Sequence, residues 1–297
     1  CALFGVPALP EQVLAGRHLA RAWVNHVLGM TAPWGIGALG LGALLGAHGP
    51  QLQSAPQTPL HPLLTHGNAL TAATTVVGLA GLLGRTLFEE PLLIVGASGS
   101  LGRLIALLLA RAGARLVLGG RNRARLERVA AQSRALGARS VETTTALVER
   151  MAQADVLILA VSTAVPIVSL AALRPGAWVI DMAQPQSVLA PAESHLGRHW
   201  IRDILLRPRG ELRLTYDLHL PERTLYACLV ETMLLAAMRP NPWDWVRWDV
   251  ALEAVDAIWA ESCMAGFDAV VQSQEVVAVT PEPAWLARLF PSSPLHR

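Results

Sequence analysis

The stretch Leu92-Leu93-Ile94-Val95-Gly96-Ala97-Ser98-Gly99-Ser100-Leu101-Gly102 constrains the fold more than any other, because a short apolar run stops at a glycine-spaced turn and a helical pattern follows at once. It reads as a strand, a tight turn and a helix start. Gly96 permits the sharp exit from the strand, Gly99 lets backbone approach a pyrophosphate, and Gly102 lets the helix pack closely on a sheet. The N–H groups at the helix start, around Ser98, Ser100 and Leu101, then face the anion. A glycine triplet by itself discriminates weakly, and this GxxGxxG is one residue wider at its first gap than the commonest fingerprint.

Context strengthens the reading. Leu101 to Ala112 are helix formers and Ala114 to Gly120 reads as a second strand, so strand, helix and strand follow within about thirty residues. An acidic residue near the end of that second strand would select NAD, whereas an arginine accommodates the 2′-phosphate of NADP. Here the strand ends in Gly120-Arg121-Asn122-Arg123 without a carboxylate. A solvated helix start also explains these arginines, but cations oppose the dipole at that end of a helix. Arg121 is therefore read as the NADP-selecting residue, with Arg123 in support.

Beyond Arg123 the pattern alternates: a helix to Leu136, a strand at Arg139 to Glu142, a helix to Met151, an apolar run from Asp155 to Val161, and a strand from Trp178 to Asp181. The fold class is α/β, a Rossmann-type doubly wound parallel sheet. Ser162 and Asp181 follow apolar strands and sit where ligands bind in such sheets, or they cap the next element. Residues 89–206 are assigned to this domain. Residues 1–88 and 207–279 are read as two parts of a second, mainly helical substrate domain, and 280–297 as a proline-rich, loosely ordered tail.

Outside the sheet, Pro10 to Gly29 reads as one amphipathic helix, and Trp34 to Gly46, rich in glycine, packs closely against protein or a long apolar ligand. Pro50 to Pro62 is a loop. Thr65-His66-Gly67-Asn68 precedes a helical run to Leu87, with Asn68 as the expected capping residue. Pro221 to Met238 and Asp249 to Met264 read as helices, joined through an Asn241-Pro242-Trp243 turn.

Composition narrows the chemistry. Hydrophobic residues make up 53% of the 297 and charged ones 15%, yet no apolar run reaches the roughly 20 residues of a spanning helix. At most peripheral membrane contact is expected. The net charge of +2 and the lack of a basic cluster interleaved with aromatics give nucleic-acid binding little support. All 24 basic residues are arginines, which removes Schiff-base chemistry, the Tyr-x-x-x-Lys pair of short-chain dehydrogenases and a Lys–Asp pair like that of shikimate dehydrogenases. Three cysteines, at 1, 228 and 263, form neither a disulfide framework nor a CxxC metal site, and a reducing cytosol is the expected compartment. On a helix stripe Cys228 and Cys263 are small hydrophobes or catalytic thiols, and Glu231, one turn beyond Cys228, opposes a thiolate there.

The run Leu220-Pro221-Glu222-Arg223-Thr224-Leu225-Tyr226-Ala227-Cys228-Leu229-Val230-Glu231-Thr232-Met233-Leu234-Leu235 resembles the RPER-x-x-(F/Y)-AC-x-x-E-x-MLL segment of the cyanobacterial long-chain acyl-[acyl-carrier-protein] reductases. Pro10-Glu11 to Arg21, Gly67 to Thr71, Val95 to Gly102, Arg121-Asn122, Val179-Ile180-Asp181 and Ala265-Gly266-Phe267 agree in order and spacing, so the likeness spans roughly residues 8 to 268. It implies Cys228 as acyl-accepting nucleophile with NADPH as the reductant; the oxyanion of such a reduction needs donors, for which Asn68, Thr71 or backbone N–H groups near Ser162 are the candidates. It also implies an acyl carrier protein or coenzyme A thioester as substrate, an aldehyde-consuming partner enzyme, and no metal. The chain departs from the family at Leu70, where a histidine stands, at Ala73, where a tyrosine stands, and at Asp181-Met182-Ala183, where the family has aspartate-glycine-glycine. Family members carry an additional stretch before the point where this chain begins. His66 stands close enough in sequence to compensate for the lost histidine. Two rival readings follow: an NADP oxidoreductase of a small carbonyl without covalent catalysis, and a catalytically silent NADP-binding or carrier-binding module.

Overall fold

A computed structural model describes residues 2–49, 62–189, 197–238, 245–272, 276–279 and 281–291. Most of the Pro50 to Pro62 loop and the Asn241-Pro242-Trp243 turn lie outside them.

The glycine-turn stretch folds as its pattern dictates. β3 (Pro91–Val95) leads into α5 (Ser100–Arg111), followed by β4 (Arg115–Gly119), α6 (Arg123–Ala135), β5 (Ser140–Thr144), α7 (Leu147–Gln153) and β6 (Val156–Leu159). β8 (Trp178–Asp181) and β10 (His199–Ile201) complete a six-stranded parallel sheet, while β7 (Val168–Ser169) and β9 (Val188–Leu189) pair beside it. Its order, β10-β8-β6-β3-β4-β5, is the 3-2-1-4-5-6 arrangement of doubly wound folds read from the other edge. The order reverses between β3 and β6, which is where such sheets bind ligands. Alternation along β3 assigns the faces: Leu92 and Ile94 join one core cluster, Leu93 and Val95 another.

The remainder is built around α3 (Asn68–Leu83), whose side chains are buried nearly all round. It packs on α5 from one side and on α8 (Ala227–Ala237) and α9 (Leu252–Met264) from the other, so one core cluster runs from the parallel sheet into the second part. Gly78 makes this approach possible, since a Cβ there would lie 2.6 Å from Ile204.

The N-terminal helix is two, α1 (Pro10–Ala15) and α2 (Arg17–Thr31), broken at Gly16, whose Cβ would meet Gln12 O at 2.8 Å. The glycine-rich segment forms β1 (Ala38–Gly40) and a 3₁₀ turn, and β1 runs parallel to β2 (Leu63–Thr65). It packs on protein, since a Cβ at Gly40 would stand 2.2 Å from Thr232 Oγ1. The run after Gly67 ends at Gly84, before a short α4 (Thr86–Glu89).

The second part is not purely helical. β11 (Asp203–Pro208), β12 (Phe267–Gln272) and β13 (Val276–Ala278) form an antiparallel sheet, so 203–208 belongs with this part and not with the parallel sheet. The tail is not loose within its described residues. α10 (Pro283–Leu289) docks through Trp285, stacked 3.9 Å from Phe88, and through the buried Leu289 and Phe290. Arg111 clamps Asp256 bidentately (2.6 and 3.0 Å) and also donates to Leu289 O, fastening α5, α9 and the tail together. Among the described residues no helix is long and apolar enough to cross a membrane.

Candidate active site

The phosphate-binding turn is shaped by what its glycines lack. Gly96 has φ +90°, and a Cβ there would fall 2.2 Å from Ala160 O, just past the end of β6. A Cβ at Gly102 would fall 2.4 Å from Gly96 O, and one at Gly99 3.2 Å from the same oxygen. Gly99 N–H closes the turn on Gly96 O at 2.8 Å. The first helical bond, from Arg103 N–H to Gly99 O, leaves the N–H groups of Ser100, Leu101 and Gly102 without intrahelical acceptors, and no side chain caps them. This cradle of small residues and open N–H groups at the switch point fits a pyrophosphate. Ser98 lies beside the end of β4, its Oγ 3.0 Å from where a Gly120 Cβ would stand.

At that end Asn122 caps α6, accepting from Arg125 N–H at 3.0 Å. Arg121 and Arg123 are exposed, and neither meets a carboxylate among the described residues. Ser162 is exposed beyond β6. Asp181 takes the capping role: it is buried and accepts from Ala183 N–H, Ser187 N–H, Val188 N–H and Ser187 Oγ–H at 2.7 to 3.1 Å. Burial raises its pKa against those four donors. Its carboxylate thus organises the loop from β8 to β9, as the capping alternative has it.

The second cluster gathers around Cys228. The expected helix from Pro221 begins only at Ala227, because Leu225 bridges to Leu206 in extended backbone and Arg223 has φ +55°. The later start puts Cys228 in the first helical turn. Against it lies Gly67, at φ +73°, where a Cβ would fall 2.1 Å from the Cys228 Cβ. Gly67, and not Asn68, is the residue preceding α3; Asn68 is the first helical residue and its side chain caps nothing.

Glu231 holds this turn. Fully buried, it accepts from Thr65 Oγ–H and from Leu70 N–H (2.7 Å), while Thr65 Oγ1 accepts from Gly67 N–H at 2.9 Å. Leu70 and Ala73 are themselves core residues. His66 Nδ1 accepts from Asn68 N–H at 3.3 Å, which assigns the ring proton to Nε2. That Nε2–H faces Ser100 Oγ at 3.2 Å and Arg247 O at 3.3 Å. The His66 ring therefore links the Gly67–Cys228 contact to the start of the phosphate helix. Thr71 Oγ–H is taken up by Gly67 O at 2.7 Å, whereas the Asn68 carboxamide makes no hydrogen bond among the described residues.

Burial dominates the electrostatics here. It pushes the Cys228 thiol up to about 12, with the Glu231 and Asp203 charges adding to the rise and outweighing the helix start. Burial carries Glu231 to about 7 against its donors, and Asp203 to about 7 although Gln184 donates to it at 3.0 Å. His66 falls to about 4 through burial and is neutral. Cys263 lies at the far end of α9, and burial raises its thiol to about 11. No group of residues suited to a metal ion occurs among those described. Sequence reasoning missed Glu231 as the anchor of the 65–70 turn, because its donors lie more than 160 positions away.

Residues 80–200 match the family described as shikimate / quinate 5-dehydrogenase. No curated protein matches the chain. Among solved structures it is similar to a probable ornithine cyclodeaminase from Bordetella pertussis Tohama I, at 26% identity over 38% of this chain and 35% of that one, with a TM-score of 0.31. It is also similar to the Δ1-pyrroline-2-carboxylate reductase of Thermococcus litoralis in complex with NADH and L-proline, at 21% identity, 44% and 40% coverage and a TM-score of 0.33. A third is the nucleotide-binding domain of glutamyl-tRNA reductase from Thermoplasma volcanium, at 21% identity, 44% and 84% coverage and a TM-score of 0.31. The chain thus spans less than half the length of the first two. The family match, the strand order and the glycine cradle together define an NAD(P)-binding Rossmann-type domain of the oxidoreductase kind.

Proposed function

We propose that the protein is an NADPH-dependent reductase that converts a long-chain fatty acyl thioester to a fatty aldehyde through a thioacyl-enzyme on Cys228. The observation that supports this reading most is the Gly67–Cys228 contact, because His66, next to Gly67, faces Ser100 Oγ at the start of the phosphate helix. The likeness of residues 220–235 to the acyl-[acyl-carrier-protein] reductases supports the same sulfur. The match to shikimate dehydrogenases covers only 80–200, and a chain without lysine has no Lys–Asp pair of their kind. The preference for NADPH rests on Arg121 and Arg123 at a strand end without a carboxylate.

A thioester is already an activated acyl donor. The Cys228 sulfur forms a bond to the acyl carbon, the donor's C–S bond breaks, and the donor sulfur departs with the proton that Cys228 gives up. A thiol held near 12 is un-ionised at neutral pH, and its ionisation is easiest when Glu231 is protonated, because the nearest negative charge is then gone. The Asn68 carboxamide, with backbone N–H groups near Ser162, is the donor set for the oxyanion. Gly96, Gly99 and the open N–H groups of Ser100, Leu101 and Gly102 would hold NADPH, whose nicotinamide would supply the hydride for the thioacyl carbon. The oxyanion left on the carbon bound to Cys228 then collapses, its C–S bond breaks, the aldehyde leaves, and the departing thiolate takes one proton from solvent to restore the thiol. An acyl carrier protein or coenzyme A serves as acyl donor, and the aldehyde passes to a consuming enzyme in the cytosol.

Incubation with NADPH and a long-chain acyl thioester tests the reading. One aldehyde should form per NADPH oxidised, and Cys228→Ser should stop this while still binding NADPH. Undiminished reduction by the serine variant would instead favour a non-covalent carbonyl reductase, and NADPH binding without turnover a silent module.

A further inference from the structure

Positive charge is concentrated on α6 and the residues that flank it. Residues 121–139 hold six arginines and one acid, Glu127, in a chain whose net charge is only +2. Glu127 accepts from Thr143 Oγ–H at 2.7 Å, and Arg134 donates to Val141 O at 3.1 Å. Arg125 and Arg128, three residues apart, are exposed and meet no carboxylate among the described residues. Their guanidinium carbons lie 5.5 and 5.2 Å from the Trp248 ring, which Arg103 approaches to 5.2 Å from α5. Packing on an indole fixes a guanidinium's position without neutralising it.

The indole is itself anchored, since Trp248 Nε1–H donates to Ser98 O at 2.8 Å. Its neighbour Arg247 offers the carbonyl that faces His66, and His66 adjoins the Gly67 that touches Cys228. A short run of contacts thus connects this cationic surface with the thiol. With guanidiniums over the indole, no aromatic face is left as a stacking platform for bases, which disfavours a nucleic acid.

We propose that Arg125 and Arg128, stacked on Trp248, are the docking surface for an acidic acyl carrier protein whose acyl arm reaches Cys228. The inference rests on the thioester-reductase reading. It divides the arginines at the start of α6 and just before it by role: Arg121 and Arg123 serve the cofactor phosphate, Arg125 and Arg128 the partner.

The test compares a carrier-bound acyl substrate with the same acyl group on a small neutral thiol such as N-acetylcysteamine. Arg125→Glu with Arg128→Glu should lower kcat/KM for the carrier-bound substrate roughly tenfold or more, because steering of an acidic partner is lost. The small thioester and NADPH affinity should be unaffected. At saturating NADPH, added salt should depress the carrier reaction of the unmodified enzyme more than the small-thioester reaction, a readout that needs no variant to fold. An unchanged carrier rate in the double variant, or an equal fall with both substrates, would overturn the docking surface while leaving the reductase reading intact. Absence of aldehyde from either substrate with the unmodified protein would instead remove the reading beneath it.

Discussion

The glycine turn at Gly96 to Gly102 and the thiol cluster at Thr65 to Thr71 share a device and use it for opposite ends. Each presses a positive-φ glycine on a neighbour, Gly96 on Ala160 O and Gly67 on Cys228. The first is made of backbone from one consecutive run and offers N–H groups to an anion. The second is assembled from chain segments 161 positions apart at the Leu70–Glu231 bond and disfavours charge, leaving a neutral thiol, a neutral imidazole and a carboxyl poised near 7. Cofactor binding is thus a local property and the acyl chemistry proposed for Cys228 a long-range one, so under that proposal the two should separate under mutation.

The sharpest separation comes from the glycines. Gly67→Ala must fit a Cβ 2.1 Å from that of Cys228 at φ +73°, and should cost roughly 2–5 kcal/mol from left-handed strain plus overpacking. Acylation should be lost with NADPH binding retained. Gly96→Ala, blocked by the Ala160 carbonyl, should lose NADPH binding and keep acylation. Chemical denaturation, NADPH titration and acyl labelling on each variant read both halves, and loss of both functions in either variant would merge the two regions.

Next in size is Glu231→Gln, which leaves an amide facing the Thr65 and Leu70 donors and should cost about 1–3 kcal/mol near neutral pH. The pH dependence has a defined sign. With a folded pKa of about 7 above the unfolded 4.5, the carboxyl's contribution is whole below about 4.5 and is lost as pH rises through 7. Urea unfolding across that window should therefore find the gap to the Gln variant narrowing as pH rises.

The difference between the regions also explains what the sequence revealed. The strand, turn and helix around Gly96 to Gly102 were legible because their residues are consecutive and glycine has a local meaning there. Cys228 stands out in the sequence only through likeness to a family, since its spacing is that of any core residue. The late start of α8 was hidden because Pro221-Glu222 has the chemistry of a helix start, and the bridge from Leu225 to Leu206 that overrides it is a tertiary contact. The antiparallel sheet escaped notice because β11 and β12 are 59 positions apart at the Arg209–Asp268 pair that flanks them. The tail looked loose by proline content, yet Trp285, Leu289 and Phe290 supply enough apolar surface to hold it.

A smaller effect concerns the cofactor's far end. Replacing Arg121 with Gln should reduce the preference for NADPH over NADH about tenfold, the worth of one charge-assisted contact to an exposed phosphate. Titration with both nucleotides measures it, and a preference carried unchanged into the variant would move the selecting role elsewhere. Smallest of all, Cys263→Ser should alter reduction less than twofold, since that sulfur lies at the far end of α9.

The most direct test is to supply a long-chain acyl thioester without NADPH and weigh the peptides. The account predicts one acyl mass increment on the peptide containing Leu225 to Leu229, none on the peptide containing Cys263, and its discharge as aldehyde when NADPH is added. An unmodified Cys228 in a preparation that nonetheless makes aldehyde would contradict the covalent mechanism.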